Sequence, residues 1–326
     1  MSVNMSALWI ILQESAKCFS SSQILELQHN EIHGEFPLIL TNNSVLTSLD
    51  VSWNLFSGKI PSAIGNLWRL QKLRMINNSL EGDLRSLKTL SLGRNQFSNF
   101  IPSSFRKLTD LESMNLGGNG LNESLPDEVM SLSNLSILNL SRNKFSGTIP
   151  SSIGTLYKLT VVDLSRQNFS EEIPFDLAVS PDLDNCSTLV NLDLHSNSLS
   201  GQISVDLRHL SHLSVLDLGR NNLMVANNFL TGRIPEFICK ASYLQVLDLS
   251  NNALSGKILL CVLNYSPTLG VVNLGNDRLY RVIPDSFSVG CALRTLDLSR
   301  NTLEGELPRS LVNCMLLEVL NLSFCF

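Results

Sequence analysis

Charge is scarce in this sequence. Only 16% of its 326 residues are Asp, Glu, Lys or Arg, and the formal net charge is -5. No basic cluster interrupts that pattern, which argues against a nucleic-acid-binding or anionic-membrane surface. Aromatic residues contribute 6%. No apolar run reaches the ~20 residues that a membrane-spanning helix requires. The seven cysteines (Cys18, Cys186, Cys239, Cys261, Cys291, Cys314 and Cys325) include no C-x-x-C pair, which weakens a zinc or thioredoxin-like site. Their odd number leaves at least one thiol unpaired, and they fix no compartment. Catalytic signatures are missing too: there is no H-E-x-x-H, no G-x-S-x-G, no Walker P-loop and no kinase set. Gly117, Gly118 and Gly120 lack the arrangement of a dinucleotide loop. His209 and His212 have no acidic or cysteine partner beside them in the sequence. No enzyme activity, cofactor or metal is expected.

What the chain has is repetition. Residues 46–69 (LTSLDVSWNLFSGKIPSAIGNLWR) align with residues 135–158 (LSILNLSRNKFSGTIPSSIGTLYK), and the pattern returns at 244–258 and 293–308. A marker residue, usually asparagine, recurs most often every 24 positions: Asn30, Asn54, Asn78, Asn95, Asn119, Asn143, Gln167, Asn197, Asn221 or Asn228, Asn252, Asp277 and Asn301. In L-x-L-x-x-N the alternate leucines of a short strand point one way and the residues between them the other. The marker amide can donate to and accept from backbone groups at the bend that follows. The I-P step suits the flank, where a missing N–H does no harm. One coil cannot bury its own leucines, but a stack can, at ~2 kcal/mol for each Leu buried.

The L-x-G-x-I-P extension resembles plant extracellular leucine-rich repeat proteins, namely receptor-like kinase and receptor-like protein ectodomains and polygalacturonase-inhibiting proteins. The resemblance covers residues 22–326. It implies an α/β-type solenoid: a leucine-rich repeat superhelix with a parallel concave sheet and an irregular, 3-10 convex side. Residues 22–222 look like a receptor-kinase array and 229–326 like a receptor-like protein. Residues 1–21 form an N-terminal stub. Within it, residues 7–12 (ALWIIL) are a possible signal remnant, or a short apolar segment over the end of the array. The implied role is a non-catalytic ectodomain of a plant cell-surface immune or developmental receptor, at the extracellular face of the plasma membrane or in the apoplast. It would bind a peptide, a protein or a cell-wall-derived ligand, with a possible co-receptor kinase. The alternatives are a truncated or fused product acting as a decoy or without function, and a secreted inhibitor of wall-degrading enzymes.

Three intervals break the period. Asn78 to Asn95 is 17 residues and Gln167 to Asn197 is 30, with residues 182–185 expected in the extra loop. In 219–235 (GRNNLMVANNFLTGRIP), Asn221 and Asn228 both fit the marker at a spacing of seven. Seven residues cannot close a coil, so one oversized coil with an irregular junction at 223–228 is expected, read as a scar of joining or deletion rather than as a functional island that completes a ligand site. The chain stops inside a repeat, with Cys325 at the marker position, and an apolar coil face is expected to lie open there.

Candidate recognition residues stand mostly one position before the marker, where they would project from the concave face: Trp53, Arg94, Arg142, Arg166, Arg220 and Arg300, with His195 nearby. Strands ~4.8 Å apart would make Arg142 and Arg166 neighbours. Paired arginines suit a carboxylate or sulfate, and Trp53 an aromatic anchor. The recurrent Asp50, Asp163, Asp193, Asp217, Asp248 and Asp297 read as a solvated column rather than as acid–base pairs. Sequons at Asn42, Asn122, Asn134, Asn185 and Asn264 fit a glycosylated surface. Cys239 with Cys261, and Cys291 with Cys314, lie on successive coils at a spacing that admits bridges, or they pack as free thiols.

Overall fold

The computed structural model describes residues 21–60, 67, 69, 72–82, 88–95, 97–101, 103–174, 188–204, 210–221, 229–264 and 268–325. The chain divides into two compact units, Met1–Lys144 and Phe145–Phe326. In the first unit, six three-residue strands follow one another in sequence order: Ile24–Glu26, Ser48–Asp50, Lys72–Arg74, Thr89–Ser91, Ser113–Asn115 and Ile137–Asn139. Each pairs in parallel with the next. The second unit repeats the plan with seven: Val161–Asp163, Asn191–Asp193, Val215–Asp217, Val246–Asp248, Val271–Asn273, Thr295–Asp297 and Val319–Asn321. This is the parallel leucine-rich repeat solenoid that the spacing implies.

Period-two alternation sorts the strand residues as expected. The central residue of most strands, such as Leu49, Leu73, Leu192 or Leu216, is fully buried, while its neighbours Ser48 and Asp50, or Asn191 and Asp193, are half-buried. Buried phenylalanines form a second layer: Phe56, Phe145 and Phe169 two positions after the marker, and Phe36 six after it. Phe36 packs tilted on Phe56 in the first unit, and Phe145 stacks on Phe169 in the second. In the last strand Leu320 takes the position of the buried leucines and is 43% exposed.

The marker amide ties each coil to its neighbour. Asn54 Nδ2 donates to Val51 O of its own coil (3.1 Å) and to Leu27 O of the preceding one (2.8 Å). Its Oδ1 accepts from Ile32 N at 3.1 Å. Asn301 makes the same three bonds with Leu298 O, Leu274 O and Leu279 N. At the last marker position the Cys325 thiol donates to Leu298 O at 2.9 Å, as an amide would.

This arrangement explains how the irregular coils are accommodated. Across the 17-residue interval, Lys72 still pairs with Thr89, Asn95 Nδ2 still reaches Met75 O, and Leu80 N still donates to Asn95 Oδ1. Across the 30-residue interval, Val161 pairs with Asn191, and Asn197 keeps its bonds to Leu164 O and Phe169 N. The expected loop residues 182–185 lie outside the described residues. At the stutter, Val215 pairs with Val246, and Asn221 is the buried marker, bonded to Leu218 O and Leu199 N. The flank ladder resumes at Leu230, opposite Gly201. The strand side therefore follows the register of Asn221 and the flank follows that of Asn228, with the seven extra residues between them. Asn228 and the junction 223–228 lie outside the described residues. The irregularity leaves one mark: Asn252 Oδ1, which should accept from the N–H two residues after the preceding marker, is buried and has no partner among the described residues.

The I-P step leads into the flank. Pro37, Pro150, Pro235 and Pro308 each precede a five-residue 3-10 helix, at Leu38–Asn42, Ser151–Thr155, Glu236–Lys240 and Arg309–Asn313. Proline suits that place because the first N–H groups of a helix lack an internal partner anyway. The glycine before it has its own reason. Gly58 and Gly201 adopt φ of 77°, and a Cβ there would meet the Cγ of Glu35 at 3.2 Å and of Glu172 at 2.6 Å, respectively. Cys239–Cys261 and Cys291–Cys314 are disulfides with Cα separations of 5.3 and 4.6 Å. Cys18 and Cys186 lie outside the described residues.

Candidate functional site

Each coil leaves its strand through a left-handed bend. The residue before the marker has positive φ in every described coil: 58° at His29, 56° at Trp53, 54° at Arg94 and 56° at Arg142, Arg166 and Arg220. Left-handed backbone costs an L-residue roughly 1–2 kcal/mol. The coil stack holds it there: Trp53 N donates to Ile76 O, Arg94 N to Gly117 O and Arg220 N to Ser250 O, all in the following coil. Within each unit the side chains at this bend form a column along the edge of the strand face.

In the first unit the column begins with Trp53, 47% exposed and stacked on His29 with ring centroids 5.3 Å apart. Asn77 follows, then Arg94, whose side chain lies over Gly118 of the next coil. Arg142 is exposed one coil beyond Gly118. Trp53, Arg94 and Arg142 thus share one column, separated from one another by Asn77 and Gly118. In the second unit Asn276 donates to Asn251 at 3.1 Å, and the Arg300 guanidinium sits over the Phe324 ring at 5.9 Å. Arg220 is exposed. Arg142 belongs to the first unit and Arg166 to the second.

The structure gathers one cluster that the sequence only hinted at. Arg166 Nε donates to His195 Nε2 at 3.3 Å. On the other side of the ring, Nδ1 lies 2.7 Å from Asp193 Oδ1 and 3.6 Å from Asp217 Oδ2. His195 stands where other coils carry Ser165, Gly219 or Ser250, the one signal that marked it in the sequence. The aspartate column is less solvated than expected: these residues are half-buried. Asp163, Asp193, Asp217 and Asp248 each accept from the backbone N–H two residues on, at Ser165, His195, Gly219 and Ser250. Their environments also differ. Burial pushes Asp217 up to about 6, reinforced by Asp248 and Asp193, against the Gly219 N–H bond and His195. The Asp193 hydrogen bond holds His195 above its ordinary value, with help from the Asp193 and Asp217 charges and against burial and Arg166. The donor atoms of Asp193, His195 and Asp217 lie within 4.8 Å of one another, a spacing that a divalent cation could bridge, but the Arg166 cation borders the same ring.

Of the other sequence-derived positions, His209 and Asn185 lie outside the described residues. His212 is exposed and stacks on Tyr243 at 6.0 Å. Asn42 is exposed, whereas Asn122, Asn134 and Asn264 are half-buried, with Asn134 Nδ2 donating to Thr109 O.

Six stretches match the Leucine Rich Repeat family model: residues 45–67, 86–108, 134–156, 188–210, 243–264 and 292–314. No curated protein sequence matches the chain. Solved structures do. A TDR receptor matches with a TM-score of 0.85 and 31% identity, over 93% of this chain and 51% of that one. The plant peptide hormone receptor RGFR1 in complex with RGF2 gives 0.75 and 29%, over 92% and 51%. The Arabidopsis receptor kinase HAESA, in complex with the peptide hormone IDA and the co-receptor SERK1, gives 0.65 and 29%, over 92% and 57%. The chain is therefore built of leucine-rich repeats, and its structural neighbours include leucine-rich repeat ectodomains of plant receptor kinases. It spans about half the length of those receptor chains. No helix among the described residues is long and apolar enough to cross a membrane.

Proposed function

We propose that the chain is a non-catalytic, ligand-binding ectodomain segment of a plant cell-surface receptor. It acts at the extracellular face, where its strand face and the bend column beside it receive a peptide. The observation that carries this reading is the bend column of each unit, with exposed Trp53, Arg94 and Arg142 in the first and exposed Arg166, Arg220 and Arg300 in the second, held on backbone that the coil stack fixes. Pre-set side chains lose less freedom on binding, and arginine forks suit carboxylate or sulfate groups. Likeness to receptors solved with peptide hormones supports a peptide over a wall fragment, and likeness to HAESA with SERK1 supports engagement of a co-receptor kinase. Both disulfides suit an oxidising, extracellular setting.

The test is direct binding of the full chain to synthetic peptides bearing a free C-terminal carboxylate or a sulfated tyrosine, with acidic oligosaccharides as the comparison. A peptide should bind, and Arg142→Ala or Arg166→Ala should weaken it by about tenfold, the loss of one charge-assisted contact. Binding indifferent to every bend-column substitution, or confined to the oligosaccharides, would refute the peptide reading.

A further inference from the structure

The contact between Arg166 and His195 holds in only one protonation state. A ring nitrogen accepts a hydrogen bond only while it keeps its lone pair. Since Arg166 Nε–H donates to His195 Nε2, the ring in this arrangement is neutral and its proton is on Nδ1, directed at Asp193 Oδ1 2.7 Å away. A second proton can go only to Nε2. It would set N–H against N–H and cation against cation across 3.3 Å. Arg166 is exposed on a long stem, and its backbone stays fixed because Arg166 N donates to His195 O at 2.8 Å. The guanidinium can leave without disturbing the coil.

We propose that His195 is a proton-operated latch for Arg166: the neutral ring holds the guanidinium against the strand face, and the charged ring expels it to where it can meet an anionic group of a ligand. The proposal rests on the reading of this face as a binding surface, and it adds the regulation of that surface. The charged groups around the ring favour such a latch. Asp193 flanks the ring on its own strand. Asp163 and Arg166 belong to the preceding coil, Asp217 and Arg220 to the following one, and Asp248 to the coil after that. The carboxylates stabilise the second proton, and Arg166, the group to be released, opposes it. Acidification charges His195 first. It then discharges Asp217, which titrates at about 6. A fall in pH thus makes this stretch of the face progressively more positive.

The latch can be read without any ligand. In the full chain, deuterated and labelled with 15N-arginine and 13C-histidine, the Arg166 Nε–H resonance should shift or lose its exchange protection as pH falls, with the same midpoint as the His195 ring signal. In His195→Gln, which keeps an acceptor but cannot become charged, that step should vanish while the amide spectrum remains that of the folded chain. An Arg166 signal that is unchanged through the His195 titration, or the same step in His195→Gln, overturns the latch. Inorganic sulfate serves as the anion probe. It should shift Arg166 side-chain resonances only below the midpoint, and in His195→Gln the step at the His195 midpoint should be absent, leaving only the change that follows Asp217. If the Arg166 step is present but sulfate shifts nothing at any pH, the latch stands and the anion-binding reading of the face falls.

Discussion

Asp277 Oδ1 accepts from Leu254 N at 2.9 Å, whereas its second oxygen, Oδ2, is buried with no partner among the described residues. Asp277 occupies a marker position, where asparagine presents an NH2 that donates to carbonyls. Burial pushes its carboxyl up to about 8, against the hydrogen bonds from Leu254 and Asn252, and Asp248 adds to the rise. At neutral pH it is therefore a protonated stand-in for asparagine.

The sign of the resulting pH dependence follows. The folded value lies above the unfolded one, so folding takes up a proton between the two, and stability falls as pH rises from about 4 to about 8. The fall approaches ~1.4 kcal/mol per pH unit within that window and stops above it. Asp277→Asn should remove this dependence. Denaturant midpoints of the two proteins should nearly coincide at pH 4 and diverge progressively toward pH 8, with the variant the more stable. A gap independent of pH would mean that Asp277 is not protonated in the fold.

Asn197, with Asn221 the most buried of the described markers, tests the marker ladder. It is fully buried and bonds Leu164 O and Leu194 O at 2.9 Å each and Phe169 N at 3.2 Å. Asn197→Ala would strand several buried backbone groups at once, at about 1–3 kcal/mol for each left unpaired. A loss of at least ~3 kcal/mol is expected from chemical denaturation. A loss below 1 kcal/mol would show that water or backbone relaxation replaces the amide.

Much of this was legible in the sequence because it depends on local spacing. Period-two leucines, the 24-residue marker and the I-P step determine strands, ladder and flank with no long-range information. Cysteines at matching places on successive coils admitted either bridges or free thiols, and the stacked coils bring both pairs into bridges. Other features were hidden because they arise only when coils are stacked. The 17-residue coil keeps register since its deletion falls outside the strand. The left-handed bend at Trp53 or Arg220 leaves no mark in residue type, because the neighbouring coil imposes it. Asn221 and Asn228 looked like rivals, yet one register runs along the strand side and the other along the flank. The Arg166–His195 pair joins residues 29 positions apart across a 30-residue interval, so the regular 24-residue frame obscured it.

The flank glycine predicts a matched pair of substitutions on adjacent coils. Gly201 at φ of 77° and Glu171 at 64° both lie in the left-handed region of the flank turn, but only one is glycine. Gly201→Ala would put a Cβ 2.6 Å from Glu172 Cγ as well as straining the backbone. It should cost more than ~1 kcal/mol. Glu171→Gly relieves strain of ~1–2 kcal/mol, partly offset by the greater freedom glycine gives the unfolded chain. A neutral to mildly stabilising effect is expected, read as opposite shifts in denaturant midpoint. If both variants are destabilised equally, the φ values are not what sets residue preference here.

The disulfides make a prediction about where stability resides. Cys239–Cys261 and Cys291–Cys314 close loops of 22 and 23 residues, so each spans about one coil and joins immediate neighbours. Loop closure of that length contributes roughly 3 kcal/mol by restricting the unfolded chain. In a stack where each coil touches only its neighbours, that contribution stays local. Reduction, or the pair Cys291→Ser with Cys314→Ser, should therefore accelerate amide hydrogen exchange in the coils around 239–314 and leave residues 21–144 nearly unchanged. Non-reducing peptide mapping should first recover both bridges intact. Acceleration spread evenly over both units would show that the array opens as one cooperative body and that the bridges act on the whole chain.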